Sequence, residues 1–86
     1  MKIRHQQSFT SQFSMVTKTQ NKLIKDAMEL FADYPMHESL RNHPLQGKWA
    51  KYRSISADKD LRIHYRVLSE TEVLFVALGS HKELYK

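Results

Sequence analysis

Histidine and arginine, rather than cysteine or a serine triad, carry the chemistry open to this chain. Lys48, Lys51 and Arg53 lie on or just before one strand-forming stretch, Arg62, His64 and Arg66 alternate along the next, and His81 and Tyr85 follow the last. Cleavage of an RNA phosphodiester needs little more. A base takes the proton of a ribose 2′-hydroxyl, cations hold the charge growing on the phosphate, and an acid protonates the departing 5′-oxygen. Histidine transfers protons near neutral pH, and arginine grips phosphate through two nitrogens at once. RNA brings its own nucleophile, so neither a metal nor a covalent intermediate is required. The same residues have ordinary readings beside this one. Arg62 and Arg66 fit a solvated strand face, His43 before Pro44 fits a loop, Trp49 fits a core or rim position, and Tyr85 fits a packing role near the C-terminus.

Other chemistries find no support. The five histidines do not fall at HxxxH spacing and there is no cysteine, so no metal site is expected. Two distant glycines cannot build a phosphate-binding loop, no GxSxG elbow is present, and no cofactor is expected. The absence of cysteine fits a reducing compartment. The N-terminus, MKIRHQQSF, has no apolar core of a signal peptide, and no apolar run approaches the roughly 20 residues of a membrane helix. A cytoplasmic protein with no membrane contact is expected. A net charge of +5 and a pI near 9.6 point to a polyanion or an acidic protein partner. Eighty-six residues make one domain, 1–86, with a thin core that a bound partner would stabilise.

The elements that must position these groups follow from periodicity. Residues 2–9 read as a short strand with Ile3 as its clearest apolar position. Ser8 and Thr10 are candidate caps for a short helix, and residues 16–20 form the turn to a longer one. Phe9, Phe13, Val16, Leu23, Ile24, Ala27, Met28, Leu30 and Phe31 recur at helical spacing. Tyr34-Pro35 ends the second helix. Residues 36–47 are a loop with one helical turn near 38–41. Residues 50–56 and 61–67 form two strands joined by a turn at Asp58-Lys59-Asp60. The second strand puts Leu61, Ile63, Tyr65 and Val67 on a core face and Arg62, His64 and Arg66 on a working face. VLFVAL, residues 73–78, reads as a strand buried on both sides, and residues 81–86 close the chain as a helical turn. The expected fold is α+β and two-layered: an N-terminal strand and a helical hairpin packed on a mostly antiparallel sheet of about four strands.

From His43 onward the sequence resembles the RelE/ParE superfamily of bacterial toxins, and most closely its YafQ-like branch. The resemblance rests on His43-Pro44-Leu45-Gln46-Gly47-Lys48-Trp49, Tyr52-Arg53, Asp60 with LRIHY, Gly79-Ser80-His81 and Leu84-Tyr85, about half of the chain. It implies a compact sheet with two helices on one side, and a metal-independent endoribonuclease that cuts mRNA on the ribosome. It also implies a cognate antitoxin in a hetero-oligomeric complex. By the same resemblance His43, Asp60, His81 and Tyr85 match catalytic positions, and Arg62 matches a phosphate-stabilising arginine. Lys48, Lys51, Arg53 and Arg66 are further candidates for holding RNA or phosphate. The sequence departs from the YafQ-like pattern at Ser56, where a second histidine is usual, and serine accepts no proton at neutral pH. The superfamily leaves two other readings open: a ParE-like inhibitor of DNA gyrase, and a weakened relative that binds only its antitoxin.

Overall fold

The computed structural model describes residues 1–85. Its elements are β1 (Lys2–His5), α1 (Gln7–Phe13), α2 (Lys18–Asp33), a 3₁₀ turn at Glu38–Leu40, β2 (His43–Pro44), a second 3₁₀ turn at Gly47–Trp49, β3 (Arg53–Asp58), β4 (Leu61–Val67), β5 (Glu72–Gly79) and α3 (His81–Leu84). The expected α+β layering is present: α1 and α2 pack on one face of a single sheet. The strand order is β1-β5-β4-β3-β2. β1 runs parallel to β5 and the other pairs are antiparallel. The sheet has five strands rather than about four. The extra one is β2, two residues in the stretch read as loop, with His43 opposite Ser54 and Pro44 opposite Arg53. Proline has no N–H to offer a further strand, which suits an edge.

Several boundaries move, each for a local reason. β1 ends at His5, because Phe9 belongs to α1 and inserts into the core. Neither Ser8 nor Thr10 caps α1. Gln6 takes the cap position, without a side-chain bond to the backbone. α2 begins inside the expected turn, where Thr17 and Gln20 form a reciprocal capping box. Its first turn is polar, so apolar periodicity does not reveal it. β3 starts at Arg53, because residues 47–49 coil into the second 3₁₀ turn. Gly47 allows that turn with φ +66°. Val67, assigned to the core face, is 54% exposed; it lies beyond Tyr65, the last β4 residue in the core. Lys86, the end of the expected closing turn, lies outside the described residues.

Phe9, Ile24, Phe31, Ile55, Ile63 and Phe75 are fully buried between helices and sheet. Phe31 and Phe9 meet Phe75 edge-on at centroid distances of 5.6 and 5.4 Å. β5 is apolar on both faces, as read. His64 lies opposite Ala77 and Tyr65 opposite Phe75, which leaves Val76 as an extra residue in the ladder. Val73, Phe75 and Leu78 join the main core, whereas Val76 and Ala77 join a smaller cluster with Leu84, Trp49, Tyr52 and Leu74. β1 pairs with β5 over residues 72–75 alone. Past that point α1 covers the edge: the Gln6 N–H donates to Phe75 O at 2.9 Å, the Ser8 hydroxyl donates to Val76 O, and the Leu78 N–H donates to Gln12 Oε1 at 2.7 Å.

Candidate active site

The face of the sheet turned away from the helical hairpin carries the candidate chemistry. Alternation along β4 places Arg62 and His64 there. Their cross-strand neighbours are small: Ser56 and Gly79 beside Arg62, Ser54 and Ala77 beside His64. Over this floor lies α3, four residues long and too short to persist unaided. Three ties hold it. Ser80 and Glu83 form a capping box. The Trp49 Nε1–H donates to Leu84 O at 3.3 Å, above a buried Leu84 side chain. Asp60 Oδ1, from the β3–β4 turn, accepts the His81 N–H at 3.1 Å. Gly79 eases the approach, since a Cβ there would stand a tight 3.3 Å from Glu83 Cβ.

His81 is exposed, with its ring 4.5 Å from that of Tyr85. Tyr85 is 37% exposed and lies 5.4 Å from the His64 ring. His43 is exposed on β2, and its Nδ1 stands 2.8 Å from Arg41 O. A carbonyl only accepts, so Nδ1 carries the proton and Nε2 remains an acceptor. His43 lies opposite Ser54, which lies opposite His64, so His43 and His64 share this face, and Tyr85 stands between the His64 and His81 rings. Arg62 is half-buried, and its Nη1 has no hydrogen-bond partner among the described residues. Ser56 shares the face with Arg62 and donates to Asp58 O at 2.7 Å.

The basic candidates divide. Lys48 is exposed and, with Trp49, Tyr52, Gln6 and Gln12, lines a groove of about 430 Å³ beside α3. Lys51 is exposed in the turn before β3. Arg66 is exposed four residues along β4 from Arg62, roughly 13 Å at strand rise. Arg53 stands apart. It lies opposite Tyr65 on the helix-facing side, and its Nε donates to Asn42 Oδ1 at 2.8 Å. Asn42 in turn donates to Tyr65 Oη at 2.7 Å and to Pro35 O at 2.9 Å. Arg53 thus ties the 36–42 loop to the sheet, and it is not gathered with the other cations.

His64 departs most from its sequence reading. Alternation assigns its face correctly, but that face is closed there. His64 is 0% exposed, with Trp49 edge-on at 4.7 Å. Burial foremost, then the charges of Arg62, His43 and His81, lower its pKa to about 4, so the ring is neutral at neutral pH. Neither of its ring nitrogens, nor the facing Ser54 Oγ, has a partner among the described residues. Pattern reading gave no sign of this burial, because the cover comes from Trp49 and Tyr85, which are far away in sequence. Among the described residues no group of three or more His, Asp or Glu side chains stands close enough to hold a metal ion. No helix among them is long and apolar enough to cross a membrane.

The family model described as the bacterial toxin of type II toxin–antitoxin systems, YafQ, matches residues 1–86. No curated protein matches the chain significantly. Among solved structures, YafQ from Escherichia coli BL21(DE3) superposes with a TM-score of 0.83 at 21% identity, over 99% of this chain and 98% of that one. YafQ in the E. coli DinJ–YafQ toxin–antitoxin complex gives 0.80 at 22% identity, over 99% and 97%. A metal-bound toxin from Helicobacter pylori gives 0.79 at 26% identity, over 99% of both chains.

Proposed function

This chain belongs to the YafQ family of bacterial toxins of type II toxin–antitoxin systems, and from that premise we propose that it is a metal-independent endoribonuclease that cleaves mRNA on the ribosome. The supporting observation is the shared sheet face of His43 and Arg62, with the His81 ring beside Tyr85 at its mouth. His81 is the leading proton-transfer residue, exposed where a substrate arrives. His43 assists through its accepting Nε2. Asp60 fixes the backbone that carries His81. Arg62 and Lys48 hold the scissile phosphate, Lys51 and Arg66 track the flanking strand, and Tyr85 stacks on a base. Arg53 is left out, because Asn42 occupies its Nε on the other side of the sheet.

The protein acts as one toxin domain, residues 1–86, in the cytoplasm. Its partner is a cognate antitoxin, as DinJ is to YafQ in the E. coli complex. An acidic segment that folds on binding suits this basic surface. Induced expression in growing cells, with primer extension on an abundant message, tests the reading against a His81→Ala variant. New 5′ ends that vanish with His81→Ala are expected. Growth arrest without new ends in the wild type overturns the nuclease and turns attention to gyrase.

A further inference from the structure

Four buried polar atoms without partners among the described residues stand on one side of the sheet: Ser54 Oγ, Arg62 Nη1 and both ring nitrogens of His64. Ser54 and His64 are directly opposed across β3 and β4, and Arg62 lies two residues before His64 on the same face. Unsatisfied buried polar groups destabilise a fold. An apolar side chain at position 64 would pack against Trp49, Tyr85 and Ala77 without that cost. The histidine is therefore better explained by a state in which it is not covered. Its cover is slight. Tyr85 is part-exposed, follows the last residue of α3, and has its N–H bonded to His81 O. Its ring can turn outward without breaking a strand pairing.

We infer that His64 is a substrate-contacting residue, uncovered when Tyr85 turns onto the RNA, and that it accepts the proton of the attacking ribose 2′-hydroxyl. This rests on the nuclease reading above and extends it by dividing the two proton transfers. The 2′-oxygen gives its proton to a ring nitrogen of His64 and forms a bond to phosphorus. The bond from phosphorus to the 5′-oxygen breaks, and that oxygen takes a proton from the His81 imidazolium. Protons and electrons balance, leaving a 2′,3′-cyclic phosphate and a 5′-hydroxyl. Arg62, on the same strand, faces the phosphate charge. The groups bearing on His64 are Arg62 from β4, His43 from β2, and His81 and Tyr85 at the C-terminal end; β3 and β5 present Ser54 and Ala77. While covered, the ring stays neutral and so is ready to accept.

The test uses the full chain with His64→Leu, His64→Gln and Tyr85→Ala variants. Cleavage of a message mapped in cells is followed across the pH range, and thermal melting is followed alongside. Both His64 variants should lose about 10²- to 10⁴-fold in cleavage. His64→Leu should melt above the wild type, which a structural histidine would not permit. The acid-side limb of the rate profile should disappear from the residual activity of His64→Gln. By NMR, the His64 titration in Tyr85→Ala should move from near 4 towards 6.5. Cleavage within a few-fold of wild type in either His64 variant overturns the inference and spares the nuclease. So does lower melting of both variants with activity lost in proportion, or a His64 titration unmoved in Tyr85→Ala. A wild type that cleaves no RNA overturns the nuclease reading, and this inference with it.

Discussion

The Asp60 carboxylate holds the His81 N–H at 3.1 Å. Asparagine offers the same acceptor oxygen without the charge. If Asp60 works by holding α3, Asp60→Asn retains cleavage near wild type. Asp60→Ala loses about 1 kcal/mol of stability, a typical net hydrogen bond, together with roughly tenfold in rate. Parallel cleavage assays and melts on the two variants check this. His64 makes a separate prediction about stability. Its folded pKa of about 4 lies below the ordinary 6.5. Between those values the unfolded chain binds the extra proton, so stability is full above about pH 6.5 and drains as pH falls towards 4. The total is roughly 3 kcal/mol at about 1.4 kcal/mol per pH unit. Urea melts at neutral and acidic pH should show the loss in the wild type and a much smaller one in His64→Leu. Glu72, held below its usual pKa by the hydrogen bond from Arg4, titrates in both proteins and so cancels in the comparison.

At the scale of elements, the two helical ends respond differently to damage. α3 depends on contacts from outside itself. Trp49→Phe keeps an aromatic ring over His64 and Tyr52 but removes the Nε1–H bond to Leu84 O. About 1 kcal/mol of stability should go with it, and cleavage should fall by more than unfolding accounts for, because His81 rides on α3. α2 lies on the far face of the sheet. Thr17→Ala breaks its capping box and should cost about 1 kcal/mol, with cleavage per folded molecule unchanged. Denaturant melts paired with active-site-normalised rates separate the two cases.

Over the whole molecule, a net charge of +5 acts before any contact forms. Binding of single-stranded RNA should weaken with salt, and each phosphate contact should add about 0.7 to the slope of log affinity against log salt. Lys51→Ala and Arg66→Ala should each reduce that slope by about 0.7, with little change in the cleavage rate of bound RNA. Arg53→Ala should leave the slope alone and lower the melting temperature, because it breaks the tie to Asn42. Titrating RNA binding over a range of salt concentrations distinguishes these outcomes. An antitoxin that binds only the folded toxin should raise its melting temperature in a concentration-dependent way.

Local order settled much of this protein in advance. A period of 3.6 marked α2, a period of 2 marked β4 and a continuous apolar run marked β5, and the alternation of β4 assigned Arg62 and His64 to the same face, because side-chain direction follows from backbone geometry alone. The segments from His43 to Trp49 and from Gly79 to Tyr85 pointed to the family, because a motif is read from residue types and spacing alone. Tertiary structure decided what depends on meetings between distant segments. β2 exists only because β3 offers an edge to His43 and Pro44. Arg53 faces the helices, in phase with Ile55, and there the Asn42 side chain accepts from its Nε. His64 became a buried, neutral ring without a hydrogen-bond partner among the described residues because Trp49 and Tyr85 close over it. No reading of neighbours along the chain contains that cover, since burial is a property of what folds back onto a residue.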